Sequence, residues 1–217
     1  MRYPNDILRL VKQRSKNFDL EGLVEGSGDK EANIMFIGEA PGVNEIKTNV
    51  PFSGKSGLIL NEKLNDVGLK RENIFISSIV RSRPYNSKNK NRKPNKKEIF
   101  AQAPLIDWEI KKVDPRIIVT LGKTSYERIT GFSKNLSDCH GKKIITKIVV
   151  LDNNYNNYTR SEKEYVVFPF YHPASVFYNS SLKKLYLKIG KIYLDISNFK
   201  YKYNAVSYTH LRAHETK

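Results

Sequence analysis

The chain has 217 residues, 39% of them hydrophobic and 28% charged, which suits one α/β domain with a real core and is short for two. That balance excludes a disordered chain, no run approaches the ~20 apolar residues of a bilayer helix, and the amino-terminal stretch lacks the apolar core of a secretory signal. A cytoplasmic protein with no membrane partner is therefore expected, and its 38 Lys and Arg against 22 Asp and Glu, net +16, point to an anionic partner, since cations that meet phosphates release counterions.

Asn5 or Asp6 can cap a first amphipathic helix that carries Ile7, Leu8 and Val11 on one face. A Gly-rich turn over 22–28 leads into the apolar run 33–37, which reads as a buried parallel strand. Residues 38–57 form a long loop with four Gly and two Pro, and a helix over 58–67 closes at Gly68. The second apolar strand spans 73–80. Between Arg81 and Lys97 lie eight basic residues and no acid, and Pro84, Pro94 and the Asn filler mark this stretch as a loop. Asn95-Lys-Lys-Glu98 is a capping box that opens a helix through 112, which Asp114-Pro115 breaks. A third strand covers 116–121, and Gly122 starts a short helix ended by Gly131. Further strands over 144–151 and 165–168 flank a polar turn over 152–162, and 173–195 reads as mostly helical.

Strand and helix in alternation imply a parallel sheet covered by helices on both faces. Ligands of such sheets bind beyond the carboxyl ends of the strands, which here are 38–42, 77–84, Gly122 and 172–175. The segment 204–217 departs from the Lys-, Tyr- and Ile-rich sequence before it and resembles translated adapter sequence. A domain over 1–203 with a non-native tail over 204–217 is expected. His210 and His214 share one face of that tail if it is helical, without a further ligand for a metal.

The single cysteine, Cys139, excludes an intramolecular disulfide and a four-cysteine metal site within one chain, and reads as a partly buried thiol. Gly54-Lys55-Ser56 and Gly122-Lys123-Thr124 each look like the end of a phosphate loop. The glycine that such a loop needs five positions earlier is replaced by Asn49 and Ile117, so neither is one.

The informative segment is Gly38-Glu39-Ala40-Pro41-Gly42. It fixes one carboxylate, Glu39, at the carboxyl end of a strand, between a turn glycine and a proline. Pro51-Phe52-Ser53-Gly54 sets a lone aromatic between rigid turn residues of the same loop, and Tyr171-His172-Pro173-Ala174-Ser175 sets a histidine at the end of a later strand, where proline can open a helix.

In this order, with Glu45 downstream of the first motif, Arg83-Pro84, Asn91-Arg92-Lys93-Pro94, Glu98-Ile99 and the run from Pro115 to Gly122, the segments resemble the uracil-DNA glycosylase superfamily, closest to its family 4 branch. The resemblance covers about residues 24–177. It implies a single-domain, three-layer α/β/α fold with a four-stranded parallel central sheet, and a monofunctional glycosylase that acts on uracil-containing DNA as a monomer. It assigns catalysis to Glu39 and His172, and substrate binding to Gly38, Ala40, Pro41, Gly42, Glu45, Phe52 and Ser78. DNA contacts fall to Arg81, Arg83, Lys88, Lys90, Arg92, Lys93 and Ser175. Two departures stand out. The family's [4Fe-4S] cysteines fall near Val11 and Arg14 and at Ser82 and Gln102, none of them cysteine, although thiolates hold such clusters; no metal or cofactor is expected. Ser78 stands where the family has an asparagine that reads uracil, which keeps open a glycosylase for another deaminated base. A catalytically weak DNA-binding relative is a further alternative, disfavoured by the presence of Glu39 and His172. A nucleotide-hydrolysing enzyme is disfavoured by the lack of a phosphate loop and of an acidic metal cluster.

Overall fold

A computed structural model describes residues 2–177. The predicted helix beyond 177 and the 204–217 tail, with His210 and His214, lie outside the described residues.

The elements run α1 (Asn5–Ser15), β1 (Leu20–Glu21), β2 (Ser27–Gly28), β3 (Ile34–Gly38), α2 (Val43–Thr48), α3 (Lys55–Asn65), β4 (Phe75–Ser78) and β5 (Arg83–Pro84). They continue with α4 (Lys96–Val113), β6 (Ile117–Leu121), α5 (Lys123–Thr130), α6 (Leu136–Cys139), β7 (Ile144–Leu151) and β8 (Tyr158–Phe170). Among the described residues the main sheet has six strands in the order β2-β4-β3-β6-β8-β7. Its centre, β4-β3-β6-β8, is the expected four-stranded parallel sheet, and β2 and β7 add antiparallel edges.

The layers follow from the two-residue alternation of strand side chains. Ile34 and Phe36 of β3 and Ile117, Val119 and Leu121 of β6 face the α3 side, with Leu60 and Leu64. Met35, Ile37 and Ile118 face the other way, toward Ile106, Ile110 and Val113 of α4 and Ile129 of α5. Burial on both faces explains why the central strands read as continuous apolar runs. Helix α1 packs outside α4 through Tyr3, Ile7, Val11 and Leu105.

Capping accounts for α4: the Asn95 side chain accepts from the Glu98 N–H at 3.0 Å, and Glu98 accepts from the Asn95 N–H at 2.9 Å. Four expectations need correction. Helix α1 has Pro4 at its N-cap and no side-chain cap, so Asn5 and Asp6 lie inside its first turn. Helix α3 begins at Lys55, because the Gly54 backbone already adopts the extended N-cap conformation. Strand β8 starts at Tyr158, so the polar turn over 152–162 shrinks to a short loop; Asp152 caps it by accepting from the Asn156 and Asn157 N–H groups. Pro173 opens a 3-10 turn, Pro173–Phe177, in place of an α-helix over that stretch.

Candidate active site

In chain order the parallel strands are β3, β4, β6 and β8, yet β3 lies between β4 and β6. The chain therefore leaves β3 toward one side of the sheet and returns to β6 on the other, so a crevice opens at the carboxyl ends of β3 and β6. Glu39 follows β3 directly, and the Thr124 hydroxyl, on the second residue of α5, donates to its Oε2 across this crevice.

His172 follows β8 on the far side of β6. A Cβ on Gly122 would lie 3.3 Å from the His172 Cβ, and Gly122 holds φ +100, so this turn needs glycine both for its backbone and for the close approach. The His172 Nδ1 accepts from the Ala174 N–H at 3.2 Å. In the neutral ring the proton then sits on Nε2. Burial pushes the His172 pKa down to about 4, against the opposing pull of the Glu45 carboxylate, so at neutral pH the imidazole is uncharged and presents an Nε2–H donor.

Phe52 stacks on His172, with ring centroids 5.8 Å apart and planes 30° from parallel. Its ring also covers Gly38, where an added Cβ would come within 2.5 Å of the Phe52 Cζ. The backbone of Phe52 is left-handed, φ +53, a conformation that needs outside support in a bulky residue. Arg71 supplies it, donating to the carbonyls of Pro51 at 2.6 Å and Phe52 at 3.2 Å. Ser78 pairs in register with Gly38 and is buried. Glu39, Ser78 and His172 thus gather at neighbouring strand ends, with Phe52 reaching over them from the turn before α3.

Glu45, expected to contact substrate, has partners within the protein. Its two carboxylate oxygens accept from the Gly42 N–H at 2.9 Å and the Gly54 N–H at 2.8 Å, which staples the Glu39 turn to the Phe52 turn.

The basic stretch divides into scaffold and surface. Arg81 is 1% exposed and Arg83 2%, which corrects their assignment to DNA. Arg81 donates to the Ser78 carbonyl, to Glu109 and, at 3.0 Å, to the Tyr3 hydroxyl. The same Glu109 accepts from Tyr3 and Ser77 at 2.5 Å each, so a buried charge pair braces the end of β4 from behind. Arg83 binds Asn91 at 2.6 Å, Glu21 at 2.5 Å and both oxygens of Asn89. Arg92 pairs with the buried Glu98 at 2.6 Å and donates to the Tyr85 carbonyl at 2.8 Å. With the Tyr85–Asn91 bridge these bonds make the stretch an ordered hairpin. Lys88, Lys90 and Lys93 stand exposed on it. The hairpin reaches the site, because Asn91 Nδ2 lies 2.9 Å from where a Gly42 Cβ would be. Ser175 caps the 3-10 turn by donating to the His172 carbonyl at 2.6 Å.

The four positions implied for an iron–sulfur cluster do not fit one. The Gln102 amide donates to the Ser82 hydroxyl at 2.7 Å, and its oxygen accepts from the Arg81 and Ser82 N–H groups at 2.7 and 3.1 Å. Val11 is packed in the α1–α4 core, and the Arg14 guanidinium lies over Phe100. None of these residues offers a thiolate, and Ser82 and Gln102 are hydrogen-bonded to each other. Cys139 is buried in α6 against Tyr126 and Leu136.

Sequence reasoning missed Thr124, Arg71 and Asn91. Thr124 lay inside a triplet dismissed as a false phosphate loop; a hydroxyl on the first turn of a helix at a strand end was its one signal. Asn91 stood in the Asn91-Arg92-Lys93-Pro94 motif, which did not mark its approach to Gly42, and Arg71 had no signal, since its partners include distant backbone carbonyls.

Residues 25–191 match the family model described as the uracil DNA glycosylase superfamily. The chain is 40% identical over 169 residues to the Type-4 uracil-DNA glycosylase of Sulfurisphaera tokodaii, which covers 75% of this chain and 69% of that protein. It is 36% identical to the protein of the same name from Saccharolobus solfataricus over 75% of this chain and 70% of the relative. For the one from Archaeoglobus fulgidus the identity is 32%, over 78% of this chain and 81% of the relative.

Proposed function

Because the chain belongs to the uracil-DNA glycosylase superfamily, we propose that it removes uracil from DNA by hydrolysing the N-glycosidic bond, with Glu39 and His172 as its reacting groups. The observation that carries this reading is the approach of those two groups to one turn, between β6 and α5, with Phe52 stacked on the histidine.

A base inside a duplex is out of reach, so the nucleotide is extruded into the crevice. Breaking the bond leaves positive charge on the sugar and negative charge on the departing base. The Glu39 carboxylate opposes the first and orients the attacking water. The neutral His172 donates its Nε2–H to the oxyanion that develops on the uracil O2; a preorganised donor of this kind is worth about 2.7–4 kcal/mol in the transition state. Phe52 offers its face to the extruded base, a contact worth about 1–3 kcal/mol. The Gly38–Gly42 backbone lets the deoxyribose approach, and the exposed lysines Lys88, Lys90 and Lys93 meet the flanking phosphates. The reading carries with it a cytoplasmic enzyme that acts as a monomer.

The test is single-turnover excision on a uracil-containing oligonucleotide, read by alkaline cleavage of the abasic product. Wild type should cut it, and Glu39→Ala and His172→Ala should each be slower by about ten-fold or more with DNA binding nearly intact. Wild-type rates in both variants would remove the assigned roles, and an inactive wild type would remove the activity.

A further inference from the structure

A carboxylate that must stabilise a cationic sugar and aim a water needs a fixed rotamer, because a freely turning Glu side chain places its oxygens over several positions. Glu39 sits in a turn, Gly38-Glu39-Ala40-Pro41, that constrains its backbone but not its side chain. We propose that Thr124 is the positioning residue for Glu39: its hydroxyl holds Oε2 and so assigns the water-orienting work to Oε1. The inference rests on the excision reading above and adds a residue to it.

Three observations support it. First, the Thr124 hydroxyl donates to Oε2 of Glu39. An ionised carboxylate is acceptor-only, so this bond is charge-assisted and stronger than one between neutral groups. Second, the donor stands on rigid ground. Thr124 is 6% exposed and its neighbour Ser125 is fully buried. The turn before them is tied to β8 by the Gly122 N–H on the Phe170 carbonyl at 2.8 Å, and it is closed by the Ser125 hydroxyl on the Gly122 carbonyl at 3.0 Å. Third, the bond spans the crevice between β3 and β6, whose backbones run parallel and in register up to Ile37 and Thr120. A displacement of either strand end would therefore be felt at the carboxylate. The neighbouring Lys123 pairs with Glu127 at 3.7 Å, and Gly122 has no side chain, which leaves the threonine side chain as the one of that triplet that meets the site.

Hydroxyl deletion at fixed shape tests the assignment. Thr124→Val, Thr124→Ser, Glu39→Gln and the Thr124→Val/Glu39→Gln pair are compared in single turnover on a uracil oligonucleotide. Kd is measured in parallel on a duplex carrying an uncleavable 2′-fluoro deoxyuridine. Thr124→Val should lose a factor of about ten to a hundred in rate, the usual size for a hydrogen bond to a charged group, with Kd unchanged. Thr124→Ser should recover to within a few-fold of wild type. In the Glu39→Gln background valine should cost little more, because the group it positions is already disabled. A merely structural threonine would instead give the same fold loss in both backgrounds. That result, or a valine variant as fast as wild type, overturns the inference while leaving the activity in place. An inactive wild type overturns both. Should the valine protein fail to fold, Thr124→Ala replaces it in the same cycle.

Discussion

Ser78 is buried beside Gly38, with its carbonyl held by Arg81 from behind. An asparagine amide offers a donor and an acceptor side by side, matching the adjacent N3–H and O4 of uracil; a shorter serine hydroxyl cannot meet both at once. A site selects by leaving the wrong base with unpaired buried partners. Ser78→Asn should therefore raise uracil excision relative to hypoxanthine and xanthine in single turnover. A ratio that stays level or falls would remove position 78 as the base reader. The titration of His172 sets a pH dependence of stability. Its folded pKa of about 4 lies below the ordinary histidine value of 6.5. Between those values the unfolded chain binds a proton that the folded chain does not, so stability falls as pH falls through this window. The melting temperature should drop between pH 7 and pH 5, and the drop should be smaller in His172→Ala. An equal drop in both proteins would show that the burial of this imidazole is not what the pH acts on.

Helix ends and one hairpin do most of the positioning. The β6–α5 turn and the first turn of α5 meet His172 and Glu39, Glu45 staples two loops through backbone N–H groups, and the Arg83-anchored hairpin carries three exposed lysines. The charge run looked uniform in sequence, but its arginines and lysines have different work. Arg81, Arg83 and Arg92 are planar donors used inside the protein to organise carbonyls and carboxylates, while the lysines keep their compact charge in water. Neutralising Lys88, Lys90 and Lys93 together should weaken binding to DNA of any sequence and flatten the dependence of log K on log salt by about three units of slope at most. An unchanged slope would assign these lysines to solubility. Replacing Arg83 should act differently, since Glu21, Asn89 and Asn91 would lose a shared partner and the hairpin its order.

Across the whole molecule, the region where the family's cluster ligands fall is closed by ordinary hydrogen bonds. Gln102 ties α4 to the segment after β4, and Glu109 and Arg81 tie the same helix to β4 and to Tyr3 ahead of α1. These bonds tie the helix to the sheet without calling on a metal. Purified protein should be colourless and should refold in the presence of a chelator, and metal analysis should find no stoichiometric iron. About four irons per chain would overturn that account.

The layer architecture and the capping of α4 were legible in the sequence, as were Glu39, Phe52 and His172 as candidate site residues. Each rests on local chemistry: two-residue burial on a double-covered sheet, an Asn–Glu box three residues apart, and candidate side chains fenced by glycine and proline at strand ends and in the turn before α3. The sequence also carried the family, through motifs in a fixed order. Which cations face solvent and which face the protein followed only from packing, because burial of Arg81 and Arg83 depends on Glu109, Glu21 and Asn89, none of them marked as partners by spacing. Packing decided, too, that Glu45 is a staple and that Thr124 meets Glu39. Those contacts join strand ends that are adjacent only because the chain reverses direction across the sheet between β3 and β6, and strand order is a property of the packed sheet that no local pattern encodes.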